Sequence, residues 1–257
     1  MISGLLASAF ERPTTKDFVW SCWFGKAPWC YNFIFFLLTI VFVTFVLLFW
    51  FAFRRPKVVP GKFQFIMESG MEFVRQQVVM SMIGPEGLPF LALLATFFFF
   101  ILLGNILEIT PFVMFPLNSR IGFPIVLAVI SWVTYNVVGI RRQGFFGYMK
   151  LVLFPPGVPR ALQPFIALIE FISVILVRPL TLSVRLFANM VAGHFLLAVF
   201  FLGSIALFTG FPYILGAVSF AMGTVLIGFE LFVAVLQAFI FSVLSASYIA
   251  GAMATEH

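Results

Sequence analysis

The feature that most constrains this sequence is a series of apolar runs, each about as long as a helix that crosses a bilayer, or longer. Shorter runs cover residues 33–53, 88–109 and 123–140, and two much longer runs cover 164–208 and 213–253. A bilayer core of about 30 Å is crossed by about 20 apolar residues in a helix. Because backbone groups cannot stay unpaired in lipid, each run is predicted to be helical. The sequence therefore predicts an all-α polytopic membrane protein with about five transmembrane helices.

The composition supports this class of protein and excludes others. Hydrophobic residues make up 63% of the chain and charged residues 9%, which is too little charge to cover the surface of a soluble domain. The net charge of +6 indicates basic loops that face the cytoplasm. No basic run is interleaved with aromatic residues on a polar scaffold, so nucleic acid is not expected as a partner.

The segment 61–84, between the first two runs, has a different pattern. Its polar residues Gln64, Glu68, Glu72 and Gln76 recur every four positions and form one stripe on a helix. This pattern predicts a helix that lies at the membrane surface. A helical hairpin packed on partner subunits is the open alternative.

The last two runs, 164–208 and 213–253, are about twice as long as a perpendicular span requires. Neither contains an internal turn signal with charge on both sides. They therefore predict two long, strongly tilted helices that form a hairpin, with the turn at 209–212.

The basic residues predict the orientation of the chain in the membrane. They concentrate in loops 54–62 and 141–160, which the positive-inside rule places in the cytoplasm. Residues 1–30 then form an outer N-terminal segment, and residues 31–257 form a single membrane domain whose C-terminus is cytoplasmic.

The outer segment contains the chain's two cysteines, Cys22 and Cys30, and no cleavable signal pattern precedes the first run. If this segment lies outside, a disulfide between them is one alternative, and two unpaired thiols are the other. The pair lacks CxxC spacing and a histidine cluster, so no metal site is expected.

Five ionisable side chains lie inside the last two runs: Glu170, Arg178, Arg185, His194 and Glu230. A charge at the bilayer centre costs at least about 2.5–3.5 kcal/mol, so such residues usually mark ion paths, proton relays or counter-ions. Arg185 lies too deep to reach the membrane surface easily, which favours a functional role. Glu170 and Arg178 lie nearer the inner surface, where pairing or snorkelling is the alternative explanation.

The spacing of these residues places polar seams on both helices of the hairpin. Arg178 and Arg185 are seven positions apart and share a face with Asn189, and Glu230 shares a face with Gln237. Antiparallel pairing would bring Glu230 to the depth of His194 and Gln237 near Arg185. Asn189 and Gln237 as interhelical contacts are the simpler alternative.

Two polar half-paths follow from this arrangement. The outer one contains Asn189, His194, Glu230 and Gln237, and the inner one contains Glu170, Arg178, Thr181 and Ser183. Asn105 and Glu108, at the outer end of the second run, are further candidates for the outer entry. An exposed interfacial charge is the alternative for Glu108.

Four segments of the chain resemble subunit a of the bacterial F-type ATP synthase. They are "RPLTLSVRLFANMVAGH" (178–194), "FELFVAVLQAFIF" (229–241), "RRPKVVPGKFQ" (54–64) and "GNILEITP" (104–111). The resemblance covers most of the chain after residue 50, and the first two segments are highly specific.

This resemblance implies a rotary proton-translocating function. Arg185 would face the proton-carrying carboxylates of a rotating c-ring, and two offset half-channels would connect that contact to the two sides. Asn189, His194, Glu230 and Gln237 would line the outer half-channel. Family members differ in which helix carries the histidine and which the glutamate, and here they are at 194 and 230.

The implied partners are the c-ring, the peripheral-stalk b subunits and lipid, and the implied location is a bacterial plasma membrane rather than a mitochondrial inner membrane. No cofactor is expected. The chain has no Gly-rich phosphate loop, so it is not expected to be an enzyme by itself, and ATP turnover would occur on partner subunits.

Two other classes of membrane protein fit the sequence less well. A secondary ion transporter with a charged midplane site would predict an inverted repeat, and the sequence has none. A haem- or quinone-binding subunit would favour paired histidines within the membrane, whereas His194 is the single internal histidine.

Overall fold

The computed structural model describes residues 33–109, 121–153, 162–208 and 213–254. These ranges are almost entirely helical and contain no strand. The α-helices are α1 (Phe33–Phe53), α2 (Lys62–Val74), α3 (Leu91–Ile109), α4 (Gly122–Leu153), α5 (Gln163–Ile172), α6 (Arg178–Phe208) and α7 (Tyr213–Met253).

Shorter elements extend these helices. A π-helical turn, Arg75–Met80, continues α2, and a 3-10 helix, Pro85–Phe90, leads into α3. A second π-helical turn, Ser173–Val177, joins α5 to α6, so that Gln163–Phe208 is one helical run of 46 residues. Five helical segments of the described chain are long and apolar enough to cross a membrane. The predicted all-α polytopic fold is therefore confirmed.

The third span is longer than the predicted range 123–140, because α4 continues to Leu153. Arg141 and Arg142 end the apolar run without ending the helix. The break comes at Gly144, whose φ of 74° and ψ of 163° belong to a region that glycine alone adopts readily.

The residues after this break pack against the residues before it. The ring of Tyr148 lies where a Cβ at Gly139 would be, and its hydroxyl donates to Asn136 Oδ1 at 3.1 Å. Residues 145–153 therefore form a short arm held against α4.

The core is built around α7, which packs against α3, α4 and α6. Apolar residues of α3 and α7, such as Phe97 and Phe241, meet edge to face with ring centroids 5.3 Å apart. Ser131 of α4 donates its Oγ hydrogen bond to Ser245 of α7 at 2.9 Å. Buried hydroxyl contacts of this kind hold helices together where lipid offers no competing donors.

The predicted hairpin of the last two helices is present as the α6–α7 pair. Ser219 of α7 donates to the Phe200 carbonyl of α6 at 2.8 Å, and Gly223 lies close to the ring of Phe201. The outer helix α1 contacts α3 mainly through apolar side chains, with Leu37 and Val41 buried.

The segment after α1 is the amphipathic helix that its pattern predicts. Gln64 Nε2 donates to Glu68 Oε1 and Gln76 Nε2 donates to Glu72 Oε1, both at 2.6 Å. The Gln76 hydrogen bond, with the nearby Arg75 guanidinium, lowers the pKa of Glu72. Its place at the membrane surface stays a prediction, as do the single membrane domain 31–257 and its orientation. Residues 1–30 lie outside the described ranges.

Candidate functional site

Arg185 lies near the middle of the 46-residue helical run, on a face of α6 that the rest of the described chain leaves exposed. Its neighbours Leu182 and Leu186 are buried in the packed interior. Within the described ranges its guanidinium takes part in no ion pair. A permanent cation is therefore presented, deep in the apolar run, to whatever covers this face.

Asn189 follows Arg185 by one turn and is half-buried. Its Nδ2 is fully enclosed, yet finds no acceptor among the described residues. Leaving such a donor unpaired costs about 1–3 kcal/mol. Gln237, on α7, is also partly buried. Both amides therefore offer hydrogen-bonding capacity that the packing of the hairpin alone does not require.

Glu230 is the acidic group of the hairpin, and the residue is only 5% exposed. Its carboxylate lies directly over Gly193 of α6, where a Cβ would overlap it. His194, the next residue along α6, is half-buried. Antiparallel pairing thus sets Glu230 at the level of His194, as the spacing of the two residues predicts.

On the other side of Arg185, a cavity of about 200 Å³ lies between α4, α5 and α7. Glu170 and Arg178 both line it, together with Tyr148, Val174 and small residues near the end of α7. The volume is enough for several water molecules. The structure therefore brings together two of the four residues predicted for the inner path.

Arg178 does not pair with Glu170 in this cavity. Its guanidinium lies over the ring of Tyr248, 5.2 Å from the centroid, in a cation–π contact. The position of Tyr248 is readable from the sequence, because it follows Gln237 by eleven residues, close to three full turns, on nearly the same face of α7. Charge and amide patterns alone did not single it out.

Thr181 and Ser183, the other predicted inner residues, do not line the cavity. Thr181 Oγ1 donates to the Arg178 carbonyl at 3.0 Å, and Ser183 Oγ donates to the Leu180 carbonyl at 2.9 Å. Hydroxyls in membrane helices often return to their own backbone in this way. Their hydroxyl protons are thus used within α6.

The two candidates for the outer entry have different outcomes. Asn105 is fully buried, and its Nδ2 donates to the Ala234 carbonyl of α7 at 3.3 Å, so it joins two helices inside the core. Glu108 is in α3, but its side chain lies outside what the structure describes. Cys22 and Cys30 also fall outside the described ranges, and their pairing stays a prediction.

Comparison with known proteins gives consistent matches over this region. A family model described as ATP synthase A chain matches residues 33–250. An ATP synthase subunit a of Streptomyces lividans is 46% identical over 213 residues, which cover 81% of this chain and 75% of that protein. Those of Frankia alni and Rhodococcus erythropolis are 40% and 38% identical, covering 99% and 100% of this chain and 90% and 95% of theirs.

Proposed function

Because this chain belongs to the ATP synthase A chain family, we propose that it is the proton-conducting stator subunit of a rotary F-type ATP synthase. The chain is a multi-pass component of the membrane sector of that enzyme complex. In the proposed role it forms two half-channels that deliver protons to, and collect them from, carboxylates on a c-ring.

The observation that carries this proposal is the position of Arg185, exposed on α6 in the middle of a long apolar run. Arginine remains charged at any relevant pH, so it cannot carry the proton itself. Its charge favours the ionised form of a rotor carboxylate that comes close. The same charge repels a proton that would cross directly between the two half-channels. Rotation of the ring is then the route by which protons cross.

Glu230, His194, Asn189 and Gln237 support an outer half-channel. A carboxylate and an imidazole at one level are side chains that can each take up and release a proton. Asn189 lies between Arg185 and His194 in the sequence, and Gln237 follows Glu230 by about two turns of α7. Both amides would orient water or the arriving carboxylate.

The cavity lined by Glu170 and Arg178 supports an inner half-channel on the other side of Arg185. Arg178 lies over the Tyr248 ring, and the Glu170 carboxylate in the same cavity would accept a proton released from the rotor. Thr181 and Ser183 would contribute to this path only through the backbone of α6.

The proposed partners are the c-ring at the exposed face of α6, the b subunits of the peripheral stalk, and lipid. The relatives are bacterial, which supports a bacterial plasma membrane. The basic loops 54–62 and 141–160 support an N-terminus outside and a C-terminus in the cytoplasm. A secondary transporter with a midplane site would need no rotor, and membership of a rotary family disfavours it.

Replacing Arg185 by alanine tests the proposal. ATP-driven proton pumping into inverted vesicles should fall to background, because nothing would then keep the rotor carboxylate ionised at the stator. After removal of the soluble catalytic sector, passive proton permeability should rise above that of the wild type, since the barrier between the half-channels is gone.

Arg141→Ala is the matched control, because it removes one cation beyond the apolar part of α4. It should pump at close to the wild-type rate, with the same amount of subunit in the membrane. Normal pumping by a well-assembled Arg185→Ala enzyme would refute the proposed role.

A further inference from the structure

The helical run that carries Arg185 contains a backbone carbonyl, that of Val174, for which its own helix supplies no donor. In the π-helical turn Ser173–Val177, the N–H of Arg178 donates to the Ser173 carbonyl, five residues back. This N–H is therefore not available to the Val174 carbonyl, which lies four residues back. The next residue is Pro179, which has no N–H. Neither the α nor the π register supplies a backbone donor to the Val174 carbonyl.

Two side chains of the neighbouring helix α4 converge on this carbonyl. The Tyr135 hydroxyl donates to it at 2.8 Å, and the Trp132 indole Nε1 donates to it at 3.1 Å. Tyr135 is 1% exposed and Val174 is 3% exposed, so water does not compete for the bond. A carbonyl oxygen has two lone pairs, and the two donors use both. In an apolar surrounding, the alternative is an unpaired carbonyl, which is strongly unfavourable.

The π-helical turn determines which residues of α6 face which neighbour. It accommodates one residue more than an α-helical turn, so everything after it is rotated by about 100° relative to a continuous α-helix. In this rotated setting, Arg178 lies over Tyr248 in the cavity it shares with Glu170. Two turns later Arg185 is on the exposed face, and Leu186 is inside. Loss of the turn would move both arginines from these positions.

We propose that Trp132 and Tyr135 are positioning residues for proton translocation. They supply the hydrogen bonds that Pro179 withholds from Val174, and they thereby hold the π-helical turn that sets the face of α6 on which Arg178 and Arg185 lie. This inference rests on the function proposed above, but it assigns to two residues of α4 a role that charge and position in the hairpin do not indicate.

The test uses the complete enzyme in inverted vesicles and measures ATP-driven proton pumping per amount of subunit in the membrane. Trp132→Phe and Tyr135→Phe each leave one donor, and each should lower pumping no more than about twofold to threefold, as the loss of one of two shared hydrogen bonds predicts. The double variant leaves the carbonyl unpaired and should lose about tenfold or more.

Pro179→Ala, added to the double variant, is the decisive step. It restores an N–H at residue 179, five residues after Val174, where a π-helical turn can use it. Pumping should return to at least about half of the wild-type rate, since one donor again satisfies the carbonyl. A merely structural role in side-chain packing predicts no such rescue, because Pro179→Ala returns neither the indole nor the hydroxyl.

Thr134→Val is the matched control on α4. Thr134 lies between the two donors in sequence, but its hydroxyl returns to the Ile130 carbonyl of its own helix at 2.7 Å. This variant should pump like the wild type, and Pro179→Ala alone should retain most of the activity.

Each outcome has one reading. Wild-type pumping by the well-assembled double variant, or failure of Pro179→Ala to restore it, overturns the positioning role. If the double variant does not accumulate in the membrane, the amount of subunit becomes the readout, and Pro179→Ala must restore that amount. Arg185→Ala, measured in parallel, distinguishes failure of the positioning role from failure of the proposed function. Normal pumping by Arg185→Ala would refute the proposed function itself, whatever the rescue shows.

Discussion

Among the described glycines of the α6–α7 hairpin, Gly193 is the one where an added Cβ would come nearest to another residue, the carboxylate of Glu230. The carboxylate occupies the space that any side chain at position 193 would need. It is also the far end of a flexible side chain, so it can move aside without displacing a helix. Glycine at 193 therefore fixes where the acidic group lies more than it fixes how the helices pack.

Gly193→Ala should accordingly lower proton pumping several-fold while the subunit still assembles in the membrane. The added methyl group displaces the carboxylate from its place over residue 193, at the level of His194, but leaves the backbone of the hairpin intact. Gly228→Ala, on α7, is the control, because a Cβ there meets nothing within 4 Å. Equal pumping by the two alanine variants would show that the place of the carboxylate does not matter.

Glu230→Gln tests the proton-exchanging role of that group directly. The amide has nearly the same volume but cannot exchange a proton at neutral pH, so the rate of ATP-driven pumping should fall by up to about 10²-fold, as for other positioned acid–base groups. His194→Gln should have an effect of the same direction. Unchanged pumping by Glu230→Gln at normal assembly would reduce the pair to a packing contact.

For single residues, the sequence predicts the site positions that carry an ionisable side chain. Arg185, Glu230 and His194 stand out because ionisable residues are costly in an apolar run. Asn105 looked similar, yet the structure uses its amide to join α3 to α7. Spacing along one helix cannot distinguish a site residue from one that joins two helices, because that depends on which groups of the neighbouring helix lie opposite.

At the scale of helices, the apolar runs predict the spans because lipid enforces helix wherever the chain crosses it. The same reasoning fails beyond the apolar run of α4, because the sequence predicts an end before Arg141 and Arg142, whereas the helix continues. Helical hydrogen bonding continues past those charges until Gly144 permits a change of direction. The π-helical turn before Pro179 was also not predicted, since it depends on two donors from another helix.

Gly144→Ala should lower stability at this break. The backbone at 144, with φ of 74° and ψ of 163°, would cost a residue with a Cβ about 1–3 kcal/mol. The arm that carries Tyr148, and with it one wall of the inner cavity, would be displaced. The midpoint of thermal unfolding of the purified complex in detergent should fall accordingly.

Gly147→Ala is the matched control for this prediction. A Cβ at 147 makes only an ordinary contact, 3.5 Å from Gln143 Cβ, and its backbone is helical. This variant should unfold at the wild-type temperature or slightly above it, because alanine favours the helix over glycine. Equal destabilisation by the two substitutions would contradict the conformational argument for Gly144.

For the molecule as a whole, α7 is the helix on which the others pack, and α6 carries the candidate site on its exposed side. One side of the hairpin packs on α3 and α4, and the exposed side of α6 carries Arg185. This asymmetry was not derivable from the sequence, because apolar residues cover both sides of each helix. Which side a rotor would meet becomes apparent only once α3 and α4 occupy the other.

The orientation of the whole chain is a separate prediction, and two exposed positions at opposite ends of the spans test it. Val58 is fully exposed between α1 and α2, and Ile214 is 77% exposed at the start of α7. In a Cys22→Ser/Cys30→Ser background, a membrane-impermeant maleimide should label Val58→Cys from the cytoplasmic side and Ile214→Cys from the opposite side. The reason is that Arg54, Arg55 and Lys57 surround the first position and hold it in the cytoplasm, whereas no cation lies near the second in sequence.

Labelling after solubilisation in detergent serves as the control for reactivity. Labelling of both cysteines from one side would contradict five crossings, and labelling with the two sides exchanged would contradict the proposed direction of the half-channels.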